Sequence, residues 1–118
     1  TNDLTALKTP EETVHDFKKF LSLVRNEFGN IKVYVIGIKP SVDRFYLDKE
    51  ERIFNSSIKL LASQDAYLEY IDVWDSMLSE DGSRMPELFI EDGLHMNKKG
   101  YEVWTKQVRK SLSKDFNI

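Results

Sequence analysis

The sequence has no cysteine, little excess charge and no long apolar run, and each of these absences excludes a class of function. Without cysteine there is no disulfide, no thiol nucleophile and no cysteine-ligated zinc. The 17 basic and 20 acidic residues leave a net charge of -3, so no strong positive field favours nucleic acid or anionic lipid. No apolar stretch reaches the roughly 18 residues that a membrane span needs. We therefore expect no nucleic-acid partner and no membrane span in this sequence.

What is present fits one small domain. The 118 residues are 41% apolar and 12% aromatic, which is enough for a hydrophobic core. The sequence begins with Thr1-Asn2-Asp3-Leu4, without a methionine or a signal peptide, so we expect the gene to start further upstream. The sequence accordingly selects no compartment, and nothing in it specifies an oligomeric state.

Signals for a first helix are clear. Thr9 can cap it, Pro10 suits the first helical position, and Glu12 completes a capping box. Gly29-Asn30 ends the pattern. Apolar residues at helical spacing predict one buried face. They are Val14, Phe17, Phe20, Leu21, Val24 and Phe28. His15 falls on the polar side and is predicted to be an exposed surface residue, neither ligand nor catalyst.

Two runs rich in β-branched and aromatic residues predict buried strands of a parallel sheet, at residues 31–38 and 67–73. Between them, residues 42–62 predict a helix whose first half is irregular. Its candidate buried residues are Phe45, Ile53, Phe54, Ile58 and Leu61. This alternation predicts an α/β fold with right-handed crossovers. Because two parallel strands do not make a stable sheet covered on both faces, further strands are expected upstream.

The last third of the sequence predicts short elements and a final helix. Residues 74–78 predict a helical turn with Trp74 in the core, and Asp81-Gly82-Ser83 predicts a surface turn. Asn97 is predicted to cap the last helix. The stripe of core residues expected on that helix comprises Tyr101, Trp104, Val108 and Leu112.

An acid and a histidine three residues apart carry the candidate chemistry. Asp92 and His95 lie in a glycine-containing turn just before the last helix. A carboxylate that holds one imidazole nitrogen lets the other nitrogen take a proton from a serine hydroxyl. The residues alone leave two alternatives: a polar turn whose histidine caps the helix, or a metal site. With only two histidines in the chain, one of them His15, a metal site is less well supported.

Asp92-Gly93-Leu94-His95, followed by Asn97 and Gly100-Tyr101, resembles the last conserved block of the SGNH hydrolases, the GDSL-type esterase and acylhydrolase superfamily. Thr1-Asn2-Asp3 resembles the end of that family's Gly-x-Asn-Asp block. Pro40-Ser41 after a predicted strand also fits the family. The resemblance implies that residues 1–118 are the C-terminal portion of one SGNH domain. That domain would be a three-layer α/β/α, flavodoxin-like fold with a parallel sheet whose first strands lie upstream.

Carried over by position, the resemblance implies that Asp92 orients His95, that His95 acts as base and then acid, and that the Asn2 amide donates to the oxyanion. It implies serine-dependent hydrolysis of an acyl ester, such as an acetyl or other short acyl group on a carbohydrate or lipid, without cofactor or metal. The family's Gly-Asp-Ser nucleophile block and a second oxyanion glycine have no counterpart here, so this segment alone is expected to be inactive. Met96, Arg44 and Tyr46 are the candidate substrate contacts.

No serine in the sequence replaces the missing nucleophile well. Asp81-Gly82-Ser83 follows no strand and leads no helix, so it lacks the strained elbow that presents a hydroxyl. Ser41 ends a predicted strand, but its place before Val42 favours a cap or turn. Two alternatives to the enzyme remain: a binding module that keeps the scaffold without the nucleophile, and a fragment that needs its N-terminal part to fold and act. The upstream sequence would distinguish the first alternative from the enzyme: a Gly-Asp-Ser block after a buried strand favours the enzyme, and its replacement favours the binding module.

Overall fold

A computed structural model describes residues 8–117 of the chain. Within them, the longer elements are α1 (Pro10–Phe28), β1 (Val33–Ile36), α2 (Asp48–Ser63), β2 (Leu68–Ile71) and α3 (Lys98–Leu112). Short 3-10 helices lie at Val42–Leu47, Asp75–Met77 and Pro86–Leu88. The predicted α/β order is confirmed. No helix in this part of the chain has the length and apolar character that crossing a bilayer requires.

The ends of α1 follow from its sequence. The Glu12 N–H donates to the Thr9 hydroxyl at 3.1 Å, and the Glu12 carboxylate accepts from the Thr9 N–H at 3.4 Å. Gly29, at φ +70°, ends the helix with its N–H bonded to the Arg25 carbonyl at 2.9 Å. The predicted buried face is only partly right, because Leu21 is buried while Phe20 and Phe28 are exposed. His15 is exposed, as predicted.

The two strands pair in parallel. The Val33 N–H donates to the Tyr67 carbonyl at 2.8 Å, and the Gly37 N–H donates to the Ile71 carbonyl at 2.9 Å, so the register is constant along the pair. Within residues 8–117 the sheet has only these two strands. The prediction that β1 is buried on both faces is therefore wrong for these residues: Val33, Tyr34 and Val35 are half-buried, and Ile36 is exposed. In β2, Leu68 and Ile71 are buried.

Contacts divide the chain into two compact units. The first combines the described part of Thr1–Val35 with Lys49–Tyr70. In it, the Arg25 guanidinium donates to the carbonyls of Ile31 at 2.7 Å and Tyr67 at 3.0 Å, which ties α1 to the chain before each strand. Ile58 of α2 is fully buried, as predicted, whereas Ile53 is partly exposed.

The second unit combines Ile36–Asp48 with the described part of Ile71–Ile118. Both of its segments begin where a strand ends, which is where open α/β sheets carry their sites. Its α3 packs against the 3-10 helices at Asp75–Met77 and Pro86–Leu88. The buried apolar side chains of this unit are Ile71, Val73, Trp74, Met77, Leu88 and Phe89.

The predicted core stripe of α3 is wrong in its first residue. Trp104, Val108 and Leu112 are half-buried, but Tyr101 is 53% exposed. The reason is that Gly100 takes the inward position, where an added Cβ would lie 2.1 Å from the Leu88 carbonyl oxygen. Tyr101 follows one residue later, about 100° further around the helix. Phe45 was also predicted to be buried, on the assumption that it belongs to the same helix as Ile58. It lies instead in the preceding 3-10 helix, which has no buried residue, and it is exposed.

Candidate active site

Asp92 and His95 lie in a turn that its own backbone closes, at residues 90–97. The Gly93 N–H donates to the Ile90 carbonyl, and the Ile90 N–H donates to the His95 carbonyl, both at 2.9 Å. Gly93 has φ +66°, a left-handed conformation that costs other residues more than it costs glycine. An antiparallel bridge between Phe89 and Met96 continues the closure. The 90–97 turn is thus a hydrogen-bonded loop with a glycine at its corner.

The sequence-predicted pair is in contact. Asp92 Oδ2 lies 2.5 Å from His95 Nδ1, while Asp92 Oδ1 accepts from the N–H groups of Leu94 at 2.9 Å and His95 at 3.0 Å. The hydrogen bond to the His95 ring, followed by the two backbone N–H groups, lowers the pKa of Asp92 to about 2. Asp92 is therefore a carboxylate at any pH near neutrality, and it can hold the His95 proton on Nδ1.

The contact with Asp92 uses His95 Nδ1 and leaves Nε2, the other ring nitrogen, without a partner among the described residues. The side chain of His95 is 69% exposed and that of Asp92 is 41% exposed. Within residues 8–117, His95 Nε2 makes no hydrogen bond. An exposed ring nitrogen, on an imidazole oriented through its other nitrogen, has the geometry of a general base.

Asn97 fixes the end of the turn to the start of α3. Its Oδ1 accepts from the Gly100 N–H at 2.9 Å, which is the predicted cap. Its Nδ2 donates to the Glu87 carbonyl at 2.8 Å, and its backbone N–H donates to the Leu88 carbonyl at 3.0 Å. The same residue therefore caps the helix and joins it to the chain that precedes the turn. Only the capping part of this role was predicted.

A second segment, residues 42–47, lies against the turn. The Asp43 N–H donates to the Gly93 carbonyl at 2.8 Å, and a Cβ added to Gly93 would lie 3.2 Å from the Asp43 nitrogen. The predicted substrate contacts Arg44 and Tyr46 therefore lie on a segment that is bonded to the 90–97 turn through Gly93. Arg44 is ion-paired with Asp43 and only 16% exposed in its side chain, whereas Tyr46 is 60% exposed. Met96 is half-buried beside His95 in the sequence.

Arg84 holds both ends of the 42–47 segment. Its guanidinium donates to the Ser41 carbonyl at 2.5 Å and to the Asp48 carboxylate at 2.9 Å, the residues that flank the segment. It also lies 5.1 Å from the centre of the Trp74 ring. Sequence reasoning missed Arg84, because a single arginine after a polar turn gives no pattern and its partners are 36 and 43 residues away.

The remaining sequence candidates do not join the pair. Asn2, the predicted oxyanion donor, lies outside the described residues. Ser41 is buried, with no hydrogen bond to its hydroxyl, and precedes a 3-10 helix as a cap residue. Ser83 lies in an exposed turn and donates to Asp81, as expected for the predicted surface turn. Neither serine bonds to His95.

A metal cluster or a surface groove would be an alternative kind of site. In the part of the chain that the structure describes, no three His, Asp or Glu side chains are grouped as a metal site would need. A groove of about 620 Å³ runs along α3. Its lining residues are Lys98, Tyr101, Glu102, Thr105, Lys106 and Arg109. It contains neither Asp92 nor His95 and no base–nucleophile pair, so we place the candidate active site at the 90–97 turn.

The chain matches known proteins along nearly all of its length. The family model described as GDSL-like Lipase/Acylhydrolase family matches residues 1–103. The N-acylneuraminate cytidylyltransferase of Escherichia coli O18:K1:H7 (strain RS218 / NMEC) is 25% identical over 109 residues, which are 92% of this chain and 25% of that protein.

Solved structures share the fold. A Streptococcus pneumonia protein described as a candidate platelet activating factor has a TM-score of 0.80 at 21% identity, over 94% of this chain and 55% of that one. The esterase domain of the zebrafish ZfL2-1 ORF1 retrotransposon protein has a TM-score of 0.72 at 24% identity, over 97% and 64%. A candidate acylhydrolase from Bacteroides fragilis NCTC 9343 has a TM-score of 0.69 at 20% identity, over 89% and 52%. The chain thus spans between half and two thirds of these structures and a quarter of the curated relative.

Proposed function

Because the chain belongs to the GDSL-like lipase/acylhydrolase family, we propose that it is the C-terminal portion of a single-domain, serine-dependent acyl esterase. The observation that carries this proposal is the contact of 2.5 Å between Asp92 and His95, in a turn that leaves His95 Nε2 open. Family membership supports a hydrolase role, and the geometry of His95 is suited to a general base in such a reaction. The nucleophile belongs to a Gly-Asp-Ser block upstream of this segment.

In the proposed reaction, His95 Nε2 takes the proton of the upstream serine hydroxyl as the serine oxygen attacks the ester carbonyl. The resulting tetrahedral intermediate collapses to an acyl-enzyme, and the leaving alcohol takes the proton from His95. Water, deprotonated by His95, then hydrolyses the acyl-enzyme and restores the serine. Asp92 keeps the imidazole in the required tautomer and stabilises its protonated form. The Asn2 amide donates to the oxyanion, which would contribute about 3 kcal/mol to transition-state stabilisation.

The proposed substrate is a carboxylic acyl ester, such as an acetyl or another short acyl ester of a carbohydrate or lipid. The name of the Escherichia coli relative concerns a sugar acid, which makes a carbohydrate ester the first substrate to test. No step of this scheme draws on a metal or a cofactor.

A fluorophosphonate probe tests the proposal, because it forms a covalent bond only with an activated serine. The longer protein that carries this chain is expected to be labelled, and His95→Ala is expected to abolish labelling. His15→Ala is the matched control, since His15 is an exposed histidine on α1 and should not affect labelling. Equal labelling of wild type and His95→Ala would refute the base assignment.

The runner-up is a binding module that keeps the scaffold without the nucleophile. The observation in its favour is that, within residues 8–117, no serine hydroxyl is bonded to His95. A wild-type protein with no upstream Gly-Asp-Ser block and no labelling would select this alternative.

A further inference from the structure

Two neighbouring aromatic side chains are exposed on the 42–47 segment, which is hydrogen-bonded to the 90–97 turn. Phe45 is 68% exposed and Tyr46 is 60% exposed. Their ring centres are 6.2 Å apart and their planes stand at 89°, an edge-to-face pair. The two exposed rings are therefore perpendicular to each other, and one of them carries the Tyr46 hydroxyl. Adjacent exposed aromatic residues offer a ligand a large contact area at low cost in side-chain entropy.

This pair is held in place by contacts at both ends of its segment. The Arg84 guanidinium bonds to the Ser41 carbonyl just before the segment and to the Asp48 carboxylate just after it. The side chain of Arg84 is only 12% exposed and lies against the buried Trp74. A partly buried arginine that makes two hydrogen bonds through its planar guanidinium is itself fixed in position, so it can hold the two ends of a loop in place. A rigid segment gives a ligand site a defined shape.

The 42–47 segment is hydrogen-bonded to the 90–97 turn. The Asp43 N–H donates to the Gly93 carbonyl, and Gly93 lies between Asp92 and His95 in the sequence. Phe45 and Tyr46 follow Asp43 on this segment, which is kinked at Arg44. The aromatic pair is therefore carried by a segment that is bonded to the turn holding the imidazole.

We propose that Phe45 and Tyr46 bind the pyranose ring of an acylated sugar and hold its ester at His95. This deepens the proposed function and rests on it. A pyranose ring has C–H groups that can pack on an aromatic ring and hydroxyl groups at its edge. The half-exposed Asp43 carboxylate and the Tyr46 hydroxyl can accept hydrogen bonds from those hydroxyl groups. One Asp43 oxygen is already paired with Arg44, so the other oxygen and the Tyr46 hydroxyl are the acceptors that a sugar can use and an acyl chain cannot.

The test compares substrates that share an acetyl group. In the longer protein, we measure kcat/KM for an acetylated methyl pyranoside and for ethyl acetate, and take their ratio. Phe45→Ala and Tyr46→Ala are each expected to lower this ratio by about tenfold, mainly through a higher KM for the sugar ester. Tyr46→Phe keeps the ring and should stay within about threefold of wild type. Tyr101→Ala removes an equally exposed aromatic from α3 and should leave the ratio unchanged.

Further measurements separate failure of this inference from failure of the proposed function. An unchanged ratio in both alanine variants would overturn the aromatic subsite, even if esterase activity is intact. A fall in activity on ethyl octanoate, with sugar acetates unaffected, would assign the pair to the acyl chain and overturn the sugar assignment. If wild type hydrolyses no ester, binding of the unacylated methyl pyranoside is followed by NMR. Loss of that binding in Phe45→Ala supports the subsite without catalysis, and no binding by wild type rejects it.

Discussion

Asp92 shows how a few atoms decide the charge of the candidate site. Hydrogen bonds from the His95 ring and from two backbone N–H groups stabilise its carboxylate and bring its pKa to about 2. In an unfolded chain the pKa of an aspartate is about 3.9. The folded value is the lower one, so the contribution of Asp92 to stability is present above about pH 4 and is lost as the pH falls through 2. Between about pH 5 and 8, where imidazoles titrate, Asp92 keeps its charge.

Replacing this carboxylate should therefore affect catalysis at every working pH. In the longer protein we expect Asp92→Asn to lower kcat by about 10²- to 10⁴-fold across pH 5 to 8, because an amide no longer stabilises the imidazolium or its tautomer. Asp81→Asn is the matched control. Asp81 is also exposed and followed by a glycine, and hydrogen bonds from Ser79 and Ser83 bring its pKa to about 2, but it contacts no histidine. Esterase assays across this range would contradict the proposal if both variants lost activity equally.

At the scale of elements, what the sequence predicts well is local. The bounds of α1 follow from Thr9, Pro10, Glu12 and Gly29, because capping bonds form between residues a few positions apart. The strands are shorter than their apolar runs, since pairing with a neighbour, and not composition, decides where a strand ends. The role of Arg84 could not be predicted either, because both of its hydrogen-bond partners are distant in sequence and only folding brings them together.

The start of α3 offers a test in which packing opposes helix propensity. In an exposed helix interior, replacing glycine by alanine stabilises by about 1 kcal/mol. At Gly100 the added Cβ would lie 2.1 Å from the Leu88 carbonyl oxygen, so α3 must move away from the residues that Asn97 joins to it. We expect Gly100→Ala to lower the free energy of unfolding by about 1 to 3 kcal/mol in urea titrations of the longer protein.

Thr105→Ala is the control for that substitution, since Thr105 is exposed on the same helix. Its effect should be neutral or slightly stabilising, within about 0.7 kcal/mol. A Gly100→Ala protein as stable as wild type would mean that the approach of α3 to Leu88 is not tight.

For the whole molecule, the α/β class and the SGNH fold were predictable because the order of elements and two short motifs are both written in the sequence. The contact between Asp92 and His95 was also predictable, since the two residues belong to one turn. The surroundings of that pair were not. The 42–47 segment meets the turn through Asp43 and Gly93, which are 50 positions apart, and only folding brings them together.

The proposed division of the site between these 118 residues and an upstream segment leads to a prediction about the isolated chain. We expect the 118 residues alone not to react with a fluorophosphonate probe, even when circular dichroism shows them folded. Within residues 8–117 no serine hydroxyl bonds to a histidine. Ser57, Ser63, Ser76 and Ser113 donate to backbone carbonyls, Ser79 and Ser83 bond to Asp81, and Ser41 is buried. Ser22 and Ser56 are exposed, but they lie within α1 and α2 and no base is bonded to them. A longer protein that carries the proposed upstream Gly-Asp-Ser block should be labelled. Labelling of the isolated chain that disappears in Ser41→Ala or Ser83→Ala would place the nucleophile within this segment and overturn the proposed division.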